Sequence, residues 1–149
     1  MVINVGIVEG EKQIRESLTV LINGSKGFTC LHAFETIEEA IVAIPVLKLD
    51  VILIDIHLST KKGIDCISEL KSKCSSVQLL ICTSSEEVDS VYKALKAGAS
   101  GYITKTTPPL KILEAILDVF NGGSPISSNI VRKVVDSFQN SNKENSEMQ

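Results

Sequence analysis

Residues 50–55 read Asp50-Val51-Ile52-Leu53-Ile54-Asp55, and this stretch decides the fold class. A short run of Val, Ile and Leu is typical of a strand that is buried on both faces of a parallel sheet. In open α/β sheets, the residues that bind and react lie just beyond the carboxyl ends of such strands. The run therefore predicts a central strand that carries Asp55 to the rim of a sheet. An acid in that place can also simply solvate a turn or cap the next helix.

Four more short apolar runs follow the same pattern, and amphipathic segments separate them. The five predicted strands are 4–8, 29–34, 51–55, 79–83 and 101–104. Strands that alternate with helices form βα units, which pack as a parallel sheet between two layers of helices. The sequence therefore predicts an α/β fold with a doubly wound, five-stranded parallel sheet.

Apolar residues at helical spacing predict a helix after each strand. Thr36-x-x-Glu39 and Ser84-x-x-Glu87 match the capping box that begins a helix, and Gly98 fits the residue that ends the fourth one. Pro108-Pro109 predicts the start of the fifth helix. The apolar stripe predicted for this helix comprises Leu110, Leu113, Ile116, Leu117 and Phe120.

The C-terminal quarter of the chain contains no further strand pattern. Residues 127–138 carry apolar side chains at helical spacing, so they predict an extra C-terminal helix. Residues 139–149 are almost all polar or charged, which predicts a flexible tail or linker. We therefore divide the chain into a main domain at 1–124, the extra helix at 125–138 and the tail at 139–149.

The composition of the chain narrows the classes of function. Its 149 residues suffice for one core, and 15 Lys and Arg against 18 Asp and Glu leave no basic face for nucleic acid. Cys30, Cys66, Cys74 and Cys82 form no Cys-x-x-Cys pair, so we expect reduced structural thiols and no zinc site. With neither a secretory leader nor a membrane-length apolar run, we expect a cytoplasmic protein with no membrane contact.

Four polar side chains stand at the ends of the predicted strands, and parallel strands bring such ends to the same edge. They are Glu9, Asp55, Thr83 and Lys105. Two acids attract a hard divalent cation, and a carboxylate beside that cation and a lysine can attack phosphorus. A lysine ammonium and a hydroxyl would share the charge of a transferring phosphoryl group.

These residues resemble the receiver domain of two-component response regulators, and they are closest to the NarL/LuxR-type branch. The resemblance covers nearly the whole chain. Its most specific stretch is Ala94-Leu95-Lys96-Ala97-Gly98-Ala99-Ser100-Gly101-Tyr102-Ile103-Thr104-Lys105, and residues 6–9, 14–18 and 50–55 add to it. The resemblance implies a flavodoxin-like receiver fold with strand order 2-1-3-4-5.

The resemblance also assigns roles to single residues. It implies that Asp55 is the phosphoacceptor, that Lys105 binds the phosphate, and that Thr83 is the switch hydroxyl. Tyr102 resembles the aromatic switch, which turns inward when the hydroxyl moves. The implied Mg²⁺ ligands are Glu9, Asp55 and the backbone carbonyl of His57.

Gly10 departs from the family, which usually has two adjacent acids after the first strand. The missing acid is normally a direct metal ligand, so the resemblance implies a weakened Mg²⁺ site.

The resemblance implies a signalling protein in which a sensor histidine kinase phosphorylates Asp55. The implied output is regulation of transcription, with a homodimer and with DNA contacts made only by an output domain absent from this chain. Beyond self-phosphorylation and self-dephosphorylation, no enzymatic activity is expected. One alternative is a degenerate receiver that binds proteins without phosphorylation. Another is a phosphatase, which would need an acid where His57 stands.

Overall fold

Strands and helices alternate along the chain in the computed structural model, which describes residues 1–55 and 61–148. The strands are β1 (Ile3–Glu9), β2 (Phe28–Phe34), β3 (Val51–Asp55), β4 (Gln78–Thr83) and β5 (Gly101–Thr104). The helices are α1 (Lys12–Asn23), α2 (Ile37–Ala43), α3 (Lys61–Lys73), α4 (Val88–Ala97), α5 (Pro109–Phe120) and α6 (Ser128–Met148). A 3-10 turn, Ile44–Val46, follows α2.

All five strands are parallel and form one sheet in the order β2-β1-β3-β4-β5. This order confirms the predicted doubly wound fold. Helix α6 confirms the predicted extra C-terminal helix. The register pairs Glu9 with Asp55 and Thr83 with Thr104, so the ends of four strands lie level. Residues that follow these ends therefore meet at one rim.

The sheet separates two apolar clusters, and β3 contributes to both because successive strand residues face opposite sides. Ile52 and Ile54 join the cluster beneath α2, α3 and α4, which also includes Ile130 of α6. Val51 and Leu53 join the cluster beneath α1 and α5. Residues 51–54 are completely buried, as the apolar run predicted.

The two predicted capping boxes behave differently. Thr36 caps α2, since its side chain accepts a hydrogen bond of 3.2 Å from the Glu39 amide. The box at Ser84 is wrong, because α4 begins at Val88 and the residue that precedes it is Glu87. The residues between β4 and α4 instead bond to Tyr102 of β5 and to α6.

The predicted apolar stripe of α5 is correct for Ile116 but wrong for two leucines. Leu110 is 73% exposed and Leu117 is 42% exposed. The buried residues of the helix are Ile112, Ala115, Ile116 and Val119. They follow the helical spacing i, i+3, i+4 and i+7, so the face that packs on the sheet is rotated away from the predicted one.

Helix α6 continues to Met148 and therefore includes most of 139–149, which we predicted to be a flexible tail or linker. A helix already formed by packed residues extends at little cost, because each added residue gains a backbone hydrogen bond without new nucleation. Polarity alone therefore did not mark the end of the helix.

Replacing Gly98 by Ala should destabilise the fold more than replacing Gly122 by Ala. Both glycines have a positive φ, of 125° and 93°, which costs a side-chain-bearing residue roughly 1–2 kcal/mol. Only at Gly98 would the new methyl group also meet a neighbour, the Lys71 side chain, at 2.8 Å. We expect about 1 kcal/mol of additional loss from this overpacking, measured by urea unfolding. Equal losses in the two variants would contradict the close packing of Lys71.

Candidate functional site

Three charged side chains meet at the carboxyl rim of the sheet. Asp55 ends β3, Glu9 ends β1 beside it, and Lys105 follows β5. The Lys105 ammonium lies 3.1 Å from Glu9 Oε2 and forms a second ion pair with Asp55. The predicted meeting of these three residues is therefore seen in the structure, with one cation between two carboxylates.

The Glu9 carboxylate is held in place by its own loop. Glu9 Oε1 accepts a hydrogen bond of 3.0 Å from the Glu11 amide, and the Arg15 guanidinium donates to the Glu9 backbone carbonyl at 2.8 Å. The Glu9 side chain is 4% exposed. Burial, together with the neighbouring Asp55 carboxylate, raises the pKa of Glu9 above its ordinary value, although the Glu11 amide and Lys105 act in the opposite direction.

Lys105 is positioned through the backbone as well as through its charge. Its amide donates to the Thr83 carbonyl at 3.1 Å, which joins the ends of β4 and β5. Partial burial acts to lower the pKa of Lys105, but the hydrogen bonds and charges of Asp55 and Glu9 outweigh it and raise the pKa. The ammonium therefore stays charged at neutral pH.

Thr83 lies at the same rim, at the end of β4, and is buried. Its hydroxyl accepts a hydrogen bond of 3.4 Å from the amide of Ser85, the residue two positions on. The hydroxyl is therefore linked to the segment between β4 and α4.

Tyr102 is fully buried. Its hydroxyl donates to the Ser85 carbonyl at 2.9 Å. Burial raises the pKa of Tyr102, and the Ser85 hydrogen bond opposes this. Sequence reasoning missed Ser85, which bonds to both predicted switch residues, because a backbone carbonyl and amide leave no signature in the residue type.

The donor set at the rim suits a hard divalent cation in part. The Glu9 and Asp55 carboxylates supply oxygen, and their mutual repulsion favours a cation beside them. Gly10 supplies no side-chain ligand, and His57 lies outside the described residues. Within the described part of the chain, no three His, Cys, Asp or Glu residues are grouped as metal ligands. Among the described residues at the rim, Glu9 and Asp55 are thus the ones that could hold Mg²⁺.

The four cysteines offer no competing chemistry. Three of them, Cys30, Cys66 and Cys82, are buried. Burial and the nearby Asp55 charge raise the pKa of Cys82 to about 12, so this thiol is not a nucleophile at neutral pH.

Comparison with known proteins agrees with this geometry. Residues 5–117 match the family described as the response regulator receiver domain. The chain belongs to the receiver domain family of response regulators. The predicted receiver family and receiver fold are therefore confirmed.

Two curated relatives of this receiver domain are regulators of known type. The DNA-binding transcriptional activator DevR/DosR of Mycobacterium tuberculosis is 27% identical over 122 residues, which cover 82% of this chain and 56% of the relative. The response regulator protein VraR of Staphylococcus aureus is 27% identical over 134 residues, covering 90% of this chain and 64% of the relative. The chain thus spans less than two thirds of the length of these relatives.

Solved structures share the receiver fold. A LuxR family two-component response regulator from Aurantimonas has a TM-score of 0.84 at 23% identity, covering 92% of this chain and 98% of that one. The isolated REC domain of RcsB from Salmonella enterica has a TM-score of 0.78 at 19% identity, with 89% and 98% covered. Among the described residues, no helix is both long and apolar enough to cross a membrane.

Replacing Lys105 by Met should destabilise the receiver domain most at neutral pH. Without the ammonium, two partly buried carboxylates face each other, and we expect a loss of about 1–3 kcal/mol in the free energy of unfolding. An acid whose pKa is raised by folding contributes stability at low pH, which is lost as the pH rises through its folded-state pKa. As the pH is lowered and Glu9 becomes protonated, the loss in the free energy of unfolding of Lys105→Met should therefore become smaller.

Urea unfolding of both proteins at several pH values measures this effect. Lys111→Met is the matched control, because Lys111 forms an exposed pair with Glu114 on α5 and its loss should stay within about 0.5 kcal/mol. If Lys105→Met lost the same free energy of unfolding at acidic and at neutral pH, the result would contradict the neutralisation of Glu9 and Asp55 by Lys105.

Proposed function

We propose that Asp55 accepts a phosphoryl group from a sensor histidine kinase. An Asp55 carboxylate oxygen forms a bond to phosphorus while the bond between phosphorus and the imidazole nitrogen of the donor breaks. The electron pair of that bond returns to the imidazole, which then takes up a proton from water. The product is an acyl phosphate on Asp55, and its hydrolysis by water returns the carboxylate and releases inorganic phosphate.

The observation that carries this proposal is the difference between the two carboxylates that share Lys105. Asp55 is 19% exposed, whereas Glu9 is 4% exposed and its Oε1 already accepts the Glu11 amide. A donor in solution can therefore approach Asp55 but not Glu9. Glu9 is better suited to hold a cation beside the reacting carboxylate.

Lys105 and Thr83 would stabilise the phosphoryl group. The Lys105 ammonium already contacts Asp55, so it can pair with a phosphoryl oxygen after a small movement. The Thr83 hydroxyl can exchange its long bond from the Ser85 amide for a shorter one to the phosphoryl group. Mg²⁺ held by Glu9 and Asp55, with the His57 carbonyl as a further ligand, would supply additional positive charge.

The relatives support a role in transcription. DevR/DosR is named as a DNA-binding transcriptional activator, and a structure of RcsB dimers bound to DNA shares this fold. We propose that this chain controls an output domain, forms a homodimer and acts in the cytoplasm, with residues 1–124 as the receiver unit. DNA would be contacted through the output domain, since the chain has a formal net charge of -3.

The formation of an acyl phosphate tests this function. We expect that acetyl phosphate and Mg²⁺ increase the intact mass of the chain by one phosphoryl group, and that Asp55→Asn abolishes the increase. Asp89→Asn is the matched control, because Asp89 is an exposed acid paired with Lys93 on α4. If the folded chain forms no adduct, the degenerate receiver, which binds proteins without phosphorylation, becomes the better account.

Replacing Gly10 by Asp should strengthen Mg²⁺ binding by about tenfold, or roughly 1.4 kcal/mol, because it restores a carboxylate at the rim. A Cβ at Gly10 would meet only the Glu35 carbonyl, at 3.7 Å, so the side chain fits. Isothermal titration with Mg²⁺ measures the affinity. Gly10→Asn is the matched control, because Asn is equal in size to Asp but uncharged, and it should gain much less Mg²⁺ affinity. Equal Mg²⁺ affinity in the two variants would contradict the idea that missing charge limits the metal site.

A further inference from the structure

The segment between α5 and α6 extends the sheet beyond β5. The Tyr102 amide donates to the Pro125 carbonyl at 2.9 Å, and the Ser127 amide donates to the Tyr102 carbonyl at 3.2 Å. The Thr104 amide donates to Ser127 Oγ at 3.1 Å. Tyr102 and Ile126 thereby form a short parallel bridge. The free edge of β5 is thus covered by the chain's own C-terminal segment.

Helix α6 continues this cover over α4. Ile130 is fully buried in the apolar cluster that also contains Tyr102 and Val91, and Val134 packs against the same cluster. Tyr102 thus shares its apolar cluster with α6, and its backbone is bonded to the segment that precedes α6. The Tyr102 side chain is fully buried in this arrangement.

The first turns of α6 are also tied to the loop between β4 and α4, here called the β4–α4 loop and comprising residues 84–87. Asn129 Nδ2 donates to one oxygen of the Glu86 carboxylate, and Lys133 Nζ donates to the other at 3.3 Å. Glu86 thus binds two residues one helical turn apart on the same face of α6. We call this set of three residues the Glu86 clamp.

The β4–α4 loop is bonded on its inner side as well. The Ser85 amide donates to the Thr83 hydroxyl, and the Ser85 carbonyl accepts from the Tyr102 hydroxyl. Glu86 is the next residue, and its carboxylate points to α6. A displacement of Thr83 at the rim would therefore move the backbone beside the Glu86 clamp.

We propose that α6 is a removable cover on the α4 and β5 face, and that the Glu86 clamp releases it when the charge on Asp55 changes. This inference rests on the proposed function, because the signal is the movement of Thr83 toward a phosphoryl group. Glu86 can bond to both Asn129 and Lys133 only over a narrow range of loop positions. Movement of the loop breaks at least one of these bonds and loosens α6 from Ile130 onward.

The energetics favour such a device. The side chains of the clamp are partly exposed, 35% for Glu86 and 49% for Lys133, so their bonds are weak. A weak clamp can be shifted by a small movement, and its loss loosens α6 in part because the burial of Ile130 still favours docking. The surface uncovered when α6 loosens would be the apolar strip formed by Ile130, Val134 and their neighbours on α4.

Amide hydrogen exchange of the whole chain, followed by mass spectrometry, tests the clamp without any phosphodonor. Glu86→Gln should increase exchange in peptides from residues 126–138 by about threefold, as expected for the loss of a weak charged contact. Glu114→Gln is the matched control, because Glu114 pairs with Lys111 on the exposed face of α5. Equal exchange in residues 126–138 of Glu86→Gln and wild type would overturn the clamp.

The coupling to Asp55 has its own readout. Beryllofluoride with Mg²⁺, a phosphoryl mimic, should increase exchange in residues 126–138 of the wild type, but not in Asp55→Asn. Because coupling is reciprocal, Glu86→Gln should bind the mimic more tightly, again by about threefold, whereas Glu114→Gln should not.

The two proposals fail in different ways. Asp55-dependent binding of the mimic with no change at residues 126–138 would overturn the release of α6 and leave the phosphoacceptor function intact. Absence of binding would overturn the phosphoacceptor function and the coupling, even if Glu86→Gln loosened α6.

Discussion

The contact of one ammonium with two carboxylates is the constraint on which the site depends. Parallel strands in register bring Glu9 and Asp55 side by side, and like charges at that distance would repel each other. Lys105 provides the balance because its backbone is fixed to the end of β4 and its ammonium reaches both acids. A phosphoryl group on Asp55 would alter this charge balance. Lys105 and Thr83 would then move toward the phosphoryl group, and the elements bonded to them could move as well.

The β4–α4 loop is well placed to transmit that movement. Ser85 joins the Thr83 hydroxyl to the Tyr102 hydroxyl, and Glu86 joins the same loop to α6. In this structure the Tyr102 ring is already buried, so a switch that depends only on its inward rotation has little left to do. The loop and α6 therefore become the parts whose position can still change.

The sequence predicts well what depends on local pattern. The apolar run before Asp55 identified the central strand, because a strand buried on both faces requires such residues all along it. The topology of a parallel sheet also predicted that Glu9, Asp55 and Lys105 would meet at one rim. The sequence failed where a distant contact outweighed a local one: the residues near Ser84 bond to Tyr102 and α6 and do not begin a helix. The Glu86 clamp joins residues more than 40 positions apart, which no local pattern reveals.

The most direct test of the central claim is a carbon-13 NMR titration of the Glu9 and Asp55 carboxyl groups, with and without beryllofluoride and Mg²⁺. The account predicts that Glu9 titrates above its ordinary pKa in the free chain, that Lys105→Met raises this pKa further, and that the mimic shifts both carboxyl signals. Titration of Glu9 at its ordinary pKa, unaffected by Lys105→Met and by the mimic, would contradict a shared charge site at this rim.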